Sequence, residues 1–244
     1  MPKKIMNAFT LAFPVIAGTL DEKFKMILVS EVFGTAFSLG NGFYLSAAHV
    51  VKGAQEKGTI YMGYVVKGMW TVAEVSDHEL LEDSDVAIIA ATIPSAVTLP
   101  WEMAKENMLE DVQTVGFPYA YDTELASIHV RAFKGNVISG RPFMKFPSHP
   151  RVFELSFPCP RGLSGAPLFT VDDTPRIRGM ICGNATVEML IFRDREEIDD
   201  GNKVEVVERY ESMQMGIAIQ ASSLSSINSR LLGKSIGEHV QELS

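Results

Sequence analysis

The sequence is poor in cysteine and carries no surplus of basic residues. Only Cys159 and Cys182 occur in 244 residues, too few for a disulfide framework, which is typical of a reducing compartment. A single bridge between these two cysteines stays open. Thirty acidic residues against 22 basic ones give a net charge of −8, so the chain lacks the positive charge that neutralises nucleic-acid phosphates or anionic lipids. We therefore expect neither nucleic acid nor a membrane as a partner.

Metal-ligand clusters and long apolar runs are also missing from the sequence. Cysteine and histidine do not occur at the spacing of a zinc site, and no apolar run reaches the length of a transmembrane helix. We expect no metal site. Residues 8–17 resemble a weak signal peptide, but Asn7, Thr10 and Pro14 interrupt the pattern, so we interpret this segment as the first strand of the fold. A cytoplasmic protein is expected, with a secreted or periplasmic one as the alternative.

Short β-prone runs, separated by glycine, proline and acidic turns, fill most of the chain. A proline-containing segment near residues 94–111 divides these runs into two similar series. Many short strands with such turns predict an all-β fold of two small antiparallel barrels, which span residues 1–100 and 101–220. Apolar residues at helical spacing within residues 221–244 predict a short C-terminal helix and a polar tail.

The second series contains a highly charged segment. Arg193–Arg209 predicts an exposed hairpin whose tip is Asp199-Asp200-Gly201-Asn202. A solvated hairpin without function is the simplest interpretation. Four separate strands are predicted in and around this hairpin: Arg178–Gly183, Val187–Arg193, Val204–Tyr210 and Met215–Ile219.

Ser164 lies between two glycines, directly before an apolar run, in the stretch Arg161-Gly162-Leu163-Ser164-Gly165-Ala166-Pro167-Leu168-Phe169. A serine hydroxyl becomes a nucleophile when a base takes its proton and backbone donors await the oxyanion. Gly162 permits a tight bend, so its N–H and that of Ser164 can converge. Gly165 leaves the far side of the serine uncrowded. An ordinary Gly-Ser turn before a strand is the alternative.

A histidine and an aspartate occur in settings that suit such a serine. His49 follows an apolar strand and the small residues Ser46-Ala47-Ala48, which leave room around an imidazole. Asp85 precedes the apolar strand 86–90, where a buried carboxylate needs a partner such as an imidazole N–H. The alternatives are a core histidine and a turn-forming aspartate. Four other histidines lack such a setting: His78, His129, His149 and His239.

Together these motifs resemble the chymotrypsin-like (trypsin-fold) serine peptidases, in which histidine, aspartate and serine follow in this order. The resemblance rests on residues 46–49, 85–87 and 162–168, and it extends to Gly116-Phe117-Pro118 and 179–181. The simpler bacterial trypsin-like and HtrA-type peptidases are nearer than the disulfide-rich digestive enzymes, although no PDZ domain is expected. The resemblance implies two six-stranded-type antiparallel β-barrels, one with the histidine and aspartate and one with the serine.

The resemblance also implies the activity of a serine endopeptidase that works through an acyl-enzyme. His49 would be the general base, Asp85 its orienting partner and Ser164 the nucleophile. The amides of Gly162 and Ser164 would form the oxyanion hole. A peptide or protein substrate and no cofactor are implied. Two alternatives stay open: a degenerate peptidase fold that acts as a binding module, and a dormant effector that an activating protein partner switches on.

The residues around the serine depart from those of the digestive enzymes. Leu163 stands where those enzymes have an aspartate used in zymogen activation, so activation by N-terminal trimming is not expected. Pro158 stands where trypsin has the aspartate that selects lysine and arginine. The walls of the substrate pocket would be Pro158-Cys159-Pro160 and Cys182-Gly183-Asn184. These small, uncharged walls predict a small or modest apolar side chain at the cleaved residue.

Overall fold

The computed structural model describes residues 8–21, 23, 26–94, 96–103, 108–122, 127–198 and 203–243. Within these ranges β-strands predominate, as the sequence predicts. The strands are β1 Phe13–Asp21, β2 Met26–Gly40, β3 Phe43–Ser46, β4 Thr59–Val66, β5 Met69–Glu74, β6 Asp77–Leu81, β7 Val86–Ala90, β8 Asp111–Gly116, β9 Tyr121–Asp122, β10 Ser127–Ile128, β11 Arg131–Pro142, β12 Arg151–Leu155, β13 Pro167–Thr170, β14 Ile177–Ile198, β15 Lys203–Gln220, β16 Asn228–Ser229 and β17 Lys234–Ser235. The helices are α1 Ala8–Leu11, α2 Ala48–Lys57, α3 Ala221–Ser225, α4 Ile236–Gln241 and a 3-10 turn at Glu82–Ser84.

The first half of the chain forms one antiparallel sheet in the order β5-β4-β1-β2-β3-β7-β6. Its two end strands, β5 and β6, are separated in the chain only by Val75 and Ser76. The Val75 N–H donates to the Ile60 carbonyl on β4, and the Ser76 N–H donates to the Ala90 carbonyl on β7. One chain segment therefore joins the two ends of the sheet, which curls around a buried apolar core.

The second half of the chain closes into a six-stranded barrel in the order β11-β12-β15-β14-β13-β8. Leu155, Leu168 and Ile181 of this barrel are fully buried and belong to one apolar cluster. The predicted all-β fold with two antiparallel units is confirmed.

The structure differs from two finer predictions about the second half. Two long strands, β14 and β15, replace the four predicted around the charged segment, because the pairing continues from Gly179 opposite Gln220 to Ile198 opposite Lys203. The predicted tip at 199–202 lies outside the described residues. The C-terminal segment holds two short helices rather than one, and the second begins at a capping box of Ser235 and Glu238.

Helix α2 was not predicted, although it carries His49. Val50, Val51 and Ala54 are its buried apolar residues besides Ala48, a pattern too short to stand out among strands. The segment interpreted as a first strand begins with the single turn α1 before β1 starts. None of the described helices has both the length and the apolar character needed to cross a bilayer.

The C-terminal segment docks on the first unit through Glu79 of β6. The Glu79 carboxylate accepts bonds from the Ser229 hydroxyl and from the N–H groups of Arg230 and Leu231. Burial alone would raise the pKa of Glu79, but these donors outweigh it and lower that pKa. The chain thus returns from the second unit to the first after β15 ends.

Candidate active site

His49 and Asp85 meet where helix α2 begins beside strand β7. The Asp85 carboxylate lies 2.9 Å from Nδ1 of His49, and it also accepts the backbone N–H of His49 at 3.0 Å. The His49 side chain is 50% exposed, whereas that of Asp85 is only 9% exposed. The pair therefore consists of a buried carboxylate that holds an accessible imidazole by one nitrogen.

The local backbone fixes the position of Asp85. Its φ is +53°, in the left-handed region that aspartate adopts more readily than most residues. Its N–H donates to the Glu82 carbonyl, and its own carbonyl accepts the Ala48 N–H. Helix α2 has no side-chain cap from Ala47, so the Asp85 carboxylate satisfies one of the first N–H groups of the helix instead. The Asp85 carboxylate thus fixes both the start of helix α2 and the orientation of the His49 imidazole on that helix.

Ser164 lies on the loop between β12 and β13, which is held against the first unit. Its carbonyl accepts the Thr35 N–H at 2.9 Å. The next residue, Gly165, has a φ of +84°, and a Cβ there would lie 2.0 Å from the Thr35 carbonyl oxygen and 3.1 Å from the Ala47 nitrogen. Because Ala47 comes two residues before His49, the serine loop and the histidine share one junction between the two units.

Thr35 connects the two units at this junction, and sequence reasoning did not assign it a role. It is fully buried. Its hydroxyl donates to the Gly162 carbonyl at 2.9 Å and accepts the Phe117 N–H at 3.1 Å. These partners lie 127 and 82 residues away in sequence, so no local pattern distinguishes Thr35 from any other strand threonine.

The predicted oxyanion donors lie in a tight turn. Gly162 has a φ of +96°, and a Cβ there would lie 2.6 Å from the Phe117 carbonyl oxygen. The Leu163 N–H donates to the Pro160 carbonyl, and the Leu163 side chain is fully buried, which anchors the turn. Among the described residues the N–H groups of Gly162 and Ser164 have no acceptor. Both are therefore available to an oxyanion.

The Ser164 hydroxyl forms no hydrogen bond with any residue in the described part of the chain, His49 included. The structure therefore brings the serine loop and the histidine together through the backbone, without the bond between their side chains. In peptidases without substrate this bond is often long or poorly aligned, and it tightens when substrate binds.

A cavity of about 260 Å³ lies beside the His49–Asp85 pair. The rings of Phe143 and Phe146 pack edge to face with centroids 5.1 Å apart and form an apolar wall. Lys145 adds a cationic group to the lining. The full lining is His49, Asp85, Phe143, Lys145, Phe146, Cys182, Gly183, Asn184 and Ile217.

The two predicted pocket walls are joined by one side chain. Oδ1 of Asn184 accepts the Cys159 N–H at 2.6 Å, and Nδ2 of Asn184 donates to the Cys159 carbonyl at 2.7 Å. On the barrel side, a Cβ on Gly216 would lie 2.5 Å from Sγ of Cys159. The Asn184 amide therefore fills part of the space between the two walls. Sequence reasoning placed Asn184 in one wall but did not foresee that its amide crosses to the other.

Cys159 and Cys182 are buried free thiols, so the bridge left open by the sequence is not formed. Burial raises the pKa of Cys159 to about 12 and that of Cys182 well above its usual value, where the Asp85 charge adds to the effect. Both thiols are therefore protonated at neutral pH and unsuited to nucleophilic attack. The described residues offer no group of His, Cys, Asp and Glu side chains arranged to hold a metal ion.

The structure has two antiparallel β units, one with a histidine–aspartate pair and the other with a glycine-flanked serine. These features together are typical of the trypsin-fold serine peptidases. A family model described as a trypsin-like peptidase domain matches residues 34–180, more than half of the chain. The chain belongs to the trypsin-like peptidase domain family.

Solved structures of proteases share this fold. The Rv3671c protease from M. tuberculosis, in its active form, is 17% identical, with a TM-score of 0.57 over 89% of this chain and 78% of that one. The MamO protease domain from Magnetospirillum magneticum is 13% identical, with a TM-score of 0.56 over 88% and 93%. The HtrA-type protease AlgW, solved with a decapeptide, is 15% identical, with a TM-score of 0.56 over 87% and 61%. No curated protein matches the sequence.

Alanine at Gly165 should destabilise the protein far more than alanine at Gly68. Both glycines have a positive φ, +84° and +79°, so both substitutions strain the backbone by about 1 kcal/mol. A Cβ on Gly68 meets nothing within 4 Å, whereas one on Gly165 overlaps the Thr35 carbonyl. In urea unfolding we expect a loss of about 1 kcal/mol for Gly68→Ala and about 3 kcal/mol or more for Gly165→Ala. Equal losses would contradict the close approach of the serine loop to Thr35.

Proposed function

We propose that the protein is a serine endopeptidase that cleaves peptide bonds through an acyl-enzyme. The observation that carries this proposal is the contact of the Asp85 carboxylate with Nδ1 of His49. A carboxylate accepts hydrogen bonds, so this contact requires Nδ1 to be the protonated nitrogen. The other nitrogen, Nε2, then has the lone pair of a general base, on an imidazole that is half exposed.

Acylation of the serine uses the Ser164 hydroxyl, the His49 imidazole and two backbone N–H groups. The Ser164 hydroxyl attacks the carbonyl carbon of the substrate while Nε2 of His49 takes its proton. The negative charge that forms on the carbonyl oxygen is stabilised by the N–H groups of Gly162 and Ser164. The imidazolium then gives its proton to the leaving amine, the C–N bond breaks, and the acyl group remains as an ester on Ser164.

Deacylation repeats the sequence with water. His49 takes a proton from a water molecule, which attacks the ester carbonyl, and the same proton returns to the Ser164 oxygen as the ester breaks. In both half-reactions the buried Asp85 carboxylate holds the tautomer and stabilises the transient imidazolium. The chemistry uses only groups of this chain, the substrate and water.

A dormant peptidase is a second candidate, and one observation favours it. The Ser164 hydroxyl is not bonded to His49 within the described residues. Substrate binding could draw the two side chains together, but an activating protein partner could supply the same change. The two candidates differ in whether the isolated chain has a reactive serine.

A fluorophosphonate probe is expected to label the isolated wild-type chain at Ser164. Ser164→Ala should abolish labelling, because the probe reacts only with an activated serine oxygen. His49→Ala should slow labelling by about 10³-fold or more, because the base is lost. Ser226→Ala is the matched control, since that hydroxyl is exposed in the C-terminal tail, and it should label like the wild type.

Labelling is measured by in-gel fluorescence over time. Labelling that persists in Ser164→Ala would contradict the assignment of the nucleophile. A wild-type chain that stays unlabelled, although folded, would favour the dormant candidate over the active one.

The two hydrogen bonds between the Asn184 amide and the Cys159 backbone support a preference for a small residue directly before the cleaved bond. The amide of Asn184 occupies space between the walls that a larger substrate side chain would need. The walls carry no charge to select lysine or arginine, because Pro158, Cys159 and Pro160 are all uncharged.

Asn184→Gly should broaden this preference. Removal of the amide opens the pocket, so kcat/KM for a peptide with leucine before the cleaved bond should rise at least about tenfold relative to the matching alanine peptide. The alanine peptide is the internal control for general damage to the site. The ratio is obtained from a pair of fluorogenic peptides that differ only at this residue. An unchanged ratio, or a wild-type preference for arginine, would contradict the proposed pocket.

A further inference from the structure

Beyond the barrel, strands β14 and β15 pair only with each other within the described ranges and form an exposed arm, here residues 185–215. Nine of the 20 large apolar side chains exposed on the described surface belong to this arm. A monomeric protein rarely exposes so many apolar groups in one place, so this concentration is typical of an interaction surface. The nine residues are Val187, Met189, Leu190, Ile191, Phe192, Val206, Val207, Tyr210 and Met213.

The arm has two faces, and the pairing of its strands assigns each residue to one of them. Residues opposite each other in an antiparallel pair lie on the same face, and so do alternate residues along a strand. One extra residue on β14, Ile191, shifts this alternation between Leu190 and Phe192. One face is mainly apolar among the described side chains, and we call it the apolar face. It consists of Val187, Met189 and Phe192 on β14 and of Val207, Arg209, Glu211 and Met213 on β15.

The opposite face bonds its charged groups within itself. The Glu208 carboxylate lies 3.2 Å from Nε of Arg193 and accepts the Tyr210 hydroxyl at 2.6 Å. The charges on this face are thus paired without any second molecule. On the apolar face, by contrast, Arg209 and Glu211 form no ion pair within the described ranges. The apolar face is therefore the one that needs a partner.

The residues of β15 on the apolar face form a pattern that is symmetric about Tyr210. Arg209 and Glu211, of opposite charge, lie one residue before and one residue after it. Val207 and Met213, both apolar, lie three residues before and three after it. A second copy can face this surface after a half-turn about an axis that crosses the strands at the level of Tyr210. Each Arg209 then lies over the other copy's Glu211, and each Val207 over its Met213.

The same rotation also matches the residues of β14. Met189 lies opposite Glu211 on the arm. Phe192 lies opposite Arg209, so the rotation brings each Met189 to the other copy's Phe192, and a thioether against an aromatic ring is a favourable contact. A rotation about the strand direction would instead stack both charged residues on apolar residues of the other copy's β14, where they would be buried without a partner. The face therefore favours the antiparallel arrangement.

The size of the apolar face suits a reversible dimer. Its five apolar side chains are between 40% and 52% exposed. Together with the two charged side chains they offer on the order of 600 Å² per copy, so two copies would bury roughly 1,200 Å², the lower end of the range for specific interfaces. An interface of this size favours micromolar affinity. A two-fold pair uses the face of each copy once, so the assembly ends at two copies.

From these features we propose that the apolar face is an interface at which two copies of this chain pack face to face, with antiparallel arms. Contact between apolar side chains supplies the affinity, and the two crossed pairs of Arg209 with Glu211 fix the direction and register of the copies. The symmetry of the pattern identifies a second copy as the partner, since an unrelated protein or a membrane surface gives no reason for it. The proposal does not depend on the proposed peptidase activity.

Sedimentation velocity of the full-length wild-type chain tests whether this dimer forms. Between about 1 and 100 µM we expect a reversible rise from the monomer mass to the dimer mass, with a dissociation constant in the micromolar range. A chain that remains monomeric at the highest concentration would overturn the proposal, and so would assembly that continues beyond the dimer.

A matched pair of lysine variants identifies the face. Met189 and Leu190 are neighbours, 45% and 46% exposed, and they lie on opposite faces of the arm. Met189→Lys places a charge inside the proposed interface and should raise the dissociation constant at least about 100-fold. Leu190→Lys adds the same charge on the other face and should change it less than about threefold. Circular dichroism checks that both variants fold, and equal effects of the two substitutions would overturn the proposal.

Charge reversals test the antiparallel register. Arg209→Glu and Glu211→Arg each place like charges over one another at two positions, so each variant alone should dimerise at least about tenfold more weakly. An equimolar mixture of the two variants restores opposite charges at both positions of a mixed pair, and it should dimerise about as well as the wild type. The double variant, which exchanges the two residues, should do the same. Single reversals without effect, or a mixture that dimerises no better than its components, would overturn the proposal.

Two further outcomes would assign the apolar face a different role. A monomeric wild-type chain that floats with phosphatidylcholine vesicles, and no longer does so as Met189→Lys, would overturn the proposal in favour of a membrane surface. A dimer that persists unweakened in folded Met189→Lys would place the contact elsewhere on the chain and overturn the proposal as well.

Discussion

A buried carboxylate is stable only where donors surround it, and Asp85 meets this condition with two donors from one residue. The ring nitrogen and the backbone N–H of His49 both contact it, and the left-handed backbone of Asp85 aims the carboxylate at the start of helix α2. Removing this carboxylate would leave the His49 N–H at the start of the helix without its acceptor and the imidazole without an orienting group. The position of the His49 imidazole is thus set by the contact of α2 with Asp85, directly before β7.

The serine is placed by a different constraint, the close contact between the two β units at Thr35. Its N–H binds the Ser164 carbonyl, and its hydroxyl binds the Gly162 carbonyl. Gly165 allows this approach because it has no side chain. Ser164 and His49 therefore belong to separate β units, which hydrogen bonds at this one junction hold together.

The residues of the candidate site could be predicted from sequence wherever the pattern involves only neighbouring residues. Ser164 between two glycines, His49 after small residues and Asp85 before an apolar strand are all short-range patterns, and the all-β class follows from the spacing of turns. The hydrogen bonds of Thr35, and those between Asn184 and Cys159, could not be predicted from sequence, because their partners are distant in the chain. The exposed hairpin was predicted, but it was divided into four strands because residues 184–186 and 211–214 interrupt the apolar runs; the pairing partner that joins them into β14 and β15 is not visible in the sequence. Helix α2 was missed because its buried apolar residues, Ala48 to Ala54, cover only about two turns.

The central claim, that Asp85 holds His49 with its proton on Nδ1, is tested most directly by nitrogen and proton NMR of the imidazole. In the wild type we predict a slowly exchanging, strongly downfield proton attached to Nδ1, which is lost in His49→Ala and shifted back in Asp85→Asn. A wild-type imidazole that carries its proton on Nε2, or one whose spectrum is unchanged by Asp85→Asn, would contradict the account.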